Sequence, residues 1–312
     1  MARSSRPRSH PGAAALALLV TFLWSSSWVL IRWGLDDEGL PPVSFAALRY
    51  SLAALLLLGW VAAVPRHRRA LARLGARSLG RLALLGVLLY ALTQGAQFVA
   101  LDYQPAATTS LVLALTPLLV AALSALSLGE APRRRQLAGA GLVAAGAWAF
   151  FSGDLGATVV GMTAAGVGLA ANTGSSLLGR AVNRGGAAEP LVVTAVSMGI
   201  GAAVLLLGGL LAEGLPAVSG RAWVIIAWLA VVNTALAFTW WNLSLRRLSA
   251  LESAVINTSM PAQIAALAWV FLDEPLGAGE ILGVFLVTSG VLLASAAAGS
   301  RAAGDPGDPA GG

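Results

Sequence analysis

The sequence predicts an all-α polytopic membrane protein of ten transmembrane helices, arranged as two inverted five-helix repeats. Three observations predict it. Hydrophobic residues make up 57% of the 312 and charged residues 11%, well below the roughly 25% charge of soluble domains. Apolar runs of the length a helix needs to cross a bilayer recur along nearly the whole chain. The chain also matches itself when it is slid along its own length.

The spans follow from the apolar runs, read as helices because a helix satisfies its own backbone in lipid and no barrel-like alternation is present. They fall at 13–32, 42–63, 81–101, 106–128, 136–152, 159–180, 190–212, 221–243, 249–272 and 278–297. Residues 1–12 form a basic cytoplasmic tail, and 298–312, rich in Pro, Gly and Asp, a disordered cytoplasmic one. The start resembles a signal peptide, but the first apolar run continues through "SSSWVLIRW" with no clear cleavage site, so it is read as a retained span.

The charges orient the spans. There is no lysine, and with a cytoplasmic N-terminus most arginines fall in inside segments: Arg3, Arg6 and Arg8, the run from Arg66 to Arg81, Arg133–Arg135, Arg180, Arg184, Arg246, Arg247 and Arg301. Outside lie Arg32, Arg49 and Arg221 among many acids. The positive-inside rule then places both termini in the cytoplasm of a multi-pass plasma-membrane protein. Because the arginines are scattered over loops rather than gathered on one stripe, the net charge of +6 implies no nucleic-acid partner. There is no cysteine, and the only histidines, His10 and His67, sit in Arg-rich polar segments, so no metal or other cofactor is expected.

Sliding the chain by 144 residues places Pro117 on Pro261, Glu130 on Glu274, Gly139 on Gly283, Gly146 on Gly290 and "AAL" 121–123 on "AAL" 265–267. A slide of 148 places Ser27 on Ser175, Arg32 on Arg180 and Pro42 on Pro190. The repeats cover 13–152 and 159–297. Five helices is an odd number, so the second copy must cross the membrane in the opposite sense. Three arginines therefore follow Glu130 inside and none follows Glu274 outside. Inverted repeats are a hallmark of secondary transporters, whose solute site lies between the halves near the midplane.

The segments "FLWSSSWVLIRWGL", "PPVSFAALRYSLAALLLL", "TPLLVAALSALSLGE" and "MPAQIAALAWVFLDEPLGAGEILGVFLVTSGVLLA" resemble EamA-type members of the drug/metabolite transporter superfamily, across residues 13–297. The resemblance implies ten helices in two repeats and transport, often export, of amino acids or other small metabolites. Ser25 departs from the pattern, since many relatives carry Gly after the Trp.

Polar residues inside spans are expected to face a water-reachable path, because facing lipid is costly. The candidates for cavity lining are Trp24, Ser26 and Ser27 in the first span and Asn172 and Ser175 in its repeat partner. Gln94 and Gln97 in the third, Trp241 in the eighth, and Asn257 and Gln263 around Pro261 in the ninth complete the set. Serines can instead back-bond to the preceding turn and aid close packing, and Trp at a boundary can be an interface anchor. Pro117 and Pro261 are expected to kink the fourth and ninth helices. Two charges stand inside spans: Arg49, able to attract a carboxylate or to snorkel, and Glu252, at a helix start where it could pair with Arg246 or Arg247 or couple to protons. Glu130 and Glu274 are read as structural. Gly279, Gly283 and Gly290 form a small-residue seam for internal packing or for a homodimer.

The function predicted is a secondary transporter moving a small-molecule substrate by alternating access. No "GxxxxGK" phosphate loop for an ATPase occurs. A non-transporting scaffold or sensor is the alternative. A membrane-embedded enzyme lacks a nucleophile or acid–base pair at depth, so the chain is read as no enzyme.

Overall fold

The fold is that of a computed structural model, which describes residues 11–116, 118–120, 122–123, 134–151, 156–184, 189–245, 248 and 256–302. Among these there is helix and no strand. In chain order the helices are α1 (Pro11–Asp36), α2 (Pro42–Ala63), a short basic α3 (Pro65–Ala72), α4, α5 (Ala106–Leu113) and α6 (Arg134–Phe151). After them come α7 (Val159–Arg184), α8 (Pro190–Ala212), α9, α10 (Met260–Phe271) and α11 (Ala278–Ala302). Two of these change winding midway. α4 is Ala76–Gly86, a π-helical stretch Val87–Gln94 and Gly95–Tyr103; α9 is Gly220–Ala230, a π stretch Val231–Leu236 and Ala237–Leu245.

Five segments are long and apolar enough to cross a bilayer: Gly12–Asp36, Pro42–Ala63, Ala76–Tyr103, Pro190–Ala212 and Gly220–Trp241. Four shorter apolar helices accompany them. α7 is long too, but its Gly, Asn, Thr and Ser residues make it a polar-rich helix. Side chains such as Leu55, Trp60, Leu211, Val224 and Phe285 point outward and are exposed. An outward apolar surface of that extent suits lipid rather than water.

Helix pairing joins early to late parts of the chain. α2 lies along α8, and α6 along α11. α1 packs against α9 and α10, while α7 packs against α4 and α5. In the α6–α11 pair the glycines that the 144-residue slide equates meet crosswise. A Cβ on Gly290 would sit 2.6 Å from the Gly139 carbonyl oxygen, and one on Gly146 would sit 2.9 Å from that of Gly283. Two such contacts at mirrored positions make the pair antiparallel, with Arg134 and Ala278 at opposite ends. Gly283 and Gly290 therefore serve internal packing.

At the end carrying Glu274, the first-half helices are capped from far along the chain. Pro41 and Pro105 precede α2 and α5 and provide no side-chain cap, so the first backbone N–H groups need partners. Glu213, at the end of α8, accepts from Val43 N at 3.1 Å and Ser44 N at 2.7 Å. Glu274 accepts from Ala106 N at 2.7 Å and Ala107 N at 3.2 Å. The chain turns there through Asp273, at φ 52°, a left-handed conformation that Asp tolerates better than most residues. Glu130, the counterpart of Glu274, lies outside the described residues.

At the other end Glu189, just before α8, receives Arg66 Nε and His67 Nδ1 from α3. The Arg66 hydrogen bond, and after it that of His67, holds the Glu189 carboxyl below its ordinary value of 4.5. A carboxyl lowered in the folded state contributes stability above its unfolded value and loses it as pH falls through the lowered folded value.

Two outcomes are expected. Gly146→Val forces a side chain into the Gly283 backbone and reduces stability by about 1–3 kcal/mol, read as a drop in melting temperature in detergent. As pH falls below 4.5, wild-type stability declines more steeply than that of Glu189→Gln; parallel curves would remove the role given to the Arg66–His67–Glu189 contact.

Candidate functional site: a polar seam between the helices

In a run as apolar as α1, the side chains that cannot remain unpaired are Thr21, Trp24 and Ser25–Ser27. The structure pairs Thr21, Ser25 and Ser26 with α9 and α10, sets the Trp24 ring against α9 and leaves Ser27 bonded within α1. Gln263, one turn into α10, accepts from Ser25 Oγ at 3.1 Å and donates through Nε2 to Thr21 Oγ1 at 3.2 Å and Ser259 Oγ at 2.8 Å. Asn233 from the π stretch of α9 donates to Leu23 O and, at 3.3 Å, to Ser26 Oγ. The Trp24 ring lies 5.2 Å from both Phe238 and Trp241. Trp24 Nε1 and Asn233 Oδ1 are buried without a hydrogen-bond partner among the described residues.

The corresponding pair of helices, α7 and α5, is also joined through a side chain. Asn172 in α7 donates to Thr116 Oγ1 at 3.1 Å, just beyond α5. α1 thus reaches α10 as α7 reaches α5. Both partner helices break at equivalent places: residues 114–115 and 258–259 are turns, 144 apart. The expected kink at Pro261 takes the form of a helix restart, with Pro261 buried in the first turn of α10. Pro117 lies outside the described residues, as does Glu252.

The serines largely bond locally. Ser26 donates to Leu23 O, Ser27 to Trp24 O and Ser175 to Asn172 O, at 2.8, 2.6 and 2.9 Å. Gln97 is buried, Gln94 half-buried at the end of the α4 π stretch, and Asn257 exposed. The seam therefore gathers Trp24, Ser26, Gln263 and Trp241, places Asn172 and Ser175 on its counterpart, and leaves Asn257 outside.

Arg49 neither snorkels nor reaches the surface. It is 4% exposed; its Nε donates to Thr234 Oγ1 at 3.2 Å, and its guanidinium carbon lies 5.1 Å from the Tyr50 ring centroid and 6.0 Å from that of Phe98. Thr234 in turn donates to Leu229 O, five residues back, at 2.8 Å. In α4, Thr93 bonds likewise to Leu88 O. This five-residue reach accompanies π winding, which leaves wide turns often found at functional sites.

Thr21, Asn233 and Thr234 were absent from the sequence candidates. Asn233 had a legible signal: with Asn242 it is one of two amides inside an apolar run. Among the described residues no cluster of His, Cys, Asp or Glu could hold a metal.

The EamA-like transporter family matches residues 12–152 and again 162–296. The chain belongs to that family. This EamA-like protein is 26% identical over 263 residues to the "Uncharacterized transporter YyaM" of Bacillus subtilis, covering 81% of this chain and 84% of the other. It is 28% identical to a "Probable amino-acid metabolite efflux pump" of Salmonella typhimurium (89% and 93% covered). The same identity relates it to a "Probable terminal-alkyne amino-acid exporter" of Streptantibioticus cattleyicolor (90% and 92% covered). A solved crystal structure shares the fold at a TM-score of 0.66 and 22% identity, over 93% of this chain and 99% of that one. Membership makes the chain a multi-pass membrane transporter of the drug/metabolite superfamily and gives the polar seam a context: it is the interior of a transporter.

Proposed function

We propose that the protein is a secondary transporter of the plasma membrane that exports small metabolites of the amino-acid class by alternating access. Ten spans form two inverted five-helix repeats, 13–152 and 159–297, with both termini in the cytoplasm. One observation carries this reading: polar side chains of α1 and α7 pair across to helices of the other half, Gln263 with Thr21 and Ser25, and Asn172 with Thr116. Two contacts between corresponding helices, each breakable without exposing charge, suit an interior that opens on either side in turn. The antiparallel glycine pair supports the inverted arrangement, and the arginine asymmetry supports its orientation. The amino-acid class draws on the names of two relatives.

Reconstituted in liposomes loaded with the standard amino acids, the wild type releases at least one of them. Gln263→Leu or Asn172→Leu lowers that rate by about tenfold, equivalent to about 1.4 kcal/mol, while Leu211→Ala on the lipid face leaves it unchanged. An absence of flux across the whole panel favours a scaffold or sensor and overturns the transport reading.

A further inference from the structure

We propose that Arg49 binds the free carboxylate of the transported solute, which makes carboxylate-bearing metabolites the substrate class and their decarboxylated amines non-substrates. The proposal rests on the transport reading above and deepens it.

The first step is the charge itself. Arg49 lies seven residues into α2, about 10 Å below the helix start at a rise of about 1.5 Å per residue. Among the described residues it is the one charged side chain in the buried polar set, at 4% exposure. A guanidinium in that position keeps its charge and requires compensation. Among the described residues no carboxylate forms an ion pair with it: the acids at ion-pair distance from an arginine are Asp36, Asp37, Glu38 and Glu189, and their partners are Arg32, Arg66 and Arg221.

The second step concerns which donors are used. Thr234 Oγ1 takes the Nε–H. Tyr50 and Phe98 place ring faces 5.1 and 6.0 Å from the guanidinium carbon, stabilising the cation without consuming N–H groups. The terminal Nη1 and Nη2 have no hydrogen-bond partner among the described residues. Two N–H groups in one plane, on a fork already oriented at Nε, match the two oxygens of a carboxylate.

The third step is that helix packing does not demand the charge. The 148-residue slide places Arg49 on Ser197, in the helix that lies along α2. Ser197 is buried too and satisfies itself by donating to Val193 O at 2.7 Å. A neutral, self-satisfied residue thus fills the equivalent place, and the arginine is an addition to one side of the pseudo-symmetric pair. Being buried in the conformation seen, Arg49 meets solute when the halves part.

The test uses the purified full chain and follows thermal unfolding by intrinsic tryptophan fluorescence. The probes are the standard L-amino acids, acetate, sodium chloride, and two amines, 3-methylbutylamine and phenethylamine, which are leucine and phenylalanine without the carboxylate. Carboxylate probes are expected to raise the melting temperature of the wild type, whereas the amines and chloride leave it unchanged. Arg49→Gln abolishes that response. Arg49→Lys, which keeps the charge but not the planar fork, needs at least tenfold more ligand, and Thr234→Val, which frees Nε, a few-fold more. Should Arg49→Gln fail to fold, the last two variants decide. Equal protection by carboxylates and amines, protection by chloride matching that by carboxylates, a full response retained in the variants, or no response to any carboxylate overturns the proposal. Flux of a solute lacking a carboxylate removes this proposal and leaves the transport reading standing; Arg49-dependent binding without flux does the reverse.

Discussion

With no water in the hydrocarbon core, each polar group there must find its partner within the protein, and this chain finds many of them far along its own length. Glu213 caps α2, Glu274 caps α5, and Gln263 completes Thr21 and Ser25. The proline-led starts of α2 and α5 have no local alternative, since Pro41 and Pro105 offer no side-chain acceptor. Removing either late segment would leave buried N–H groups unpaired, so the early and late parts of the chain stabilise one another as one folding unit.

The contacts divide into two kinds with different mechanical consequences. Along α6 and α11 the glycines bring backbone against backbone, with the Cβ of Leu286 and a γ-methyl of Val143 packed close beside them. Such a seam resists sliding, because interiors transmit strain rather than absorb it. The Gln263 and Asn172 contacts are side-chain hydrogen bonds, worth on average about 0.6 kcal/mol inside membranes. Each can exchange its partner for water or solute at little net cost. On the alternating-access reading proposed above, glycine keeps one seam firm and amides leave the other separable.

How far the sequence revealed this can be judged residue by residue. The slide that equated Gly139 with Gly283 and Gly146 with Gly290 became a pair of reciprocal contacts in space, and it decided a question that the glycine spacing had left open between internal packing and a dimer face. Glu274 was legible as structural, but not as the cap of α5, because that role depends on where a segment 168 positions away ends up. Asn233 and Thr234 escaped notice because one or two polar residues in a long apolar run barely alter its hydropathy. The π winding escaped because it has no residue signature of its own: Val87–Gln94 and Val231–Leu236 read as ordinary helix.

Those two π stretches begin 144 residues apart, at Val87 and Val231, so the irregular winding belongs to the repeat, while the residues on it have diverged. Tyr90 and Thr234 occupy equivalent positions, and both converge on adjacent residues of α2: the Tyr90 ring lies 5.7 Å from that of Tyr50, and Thr234 accepts from Arg49. One copy of the wide turn therefore contributes an aromatic wall and the other a hydroxyl. A perfectly symmetric pair would have to bind the two ends of a solute alike. Replacing one Tyr-like position by Thr, and one Ser197-like position by Arg49, gives the interior a polar, cationic side without moving the backbone. On the readings proposed above, asymmetry of that kind lets an inverted repeat bind a solute whose two ends differ.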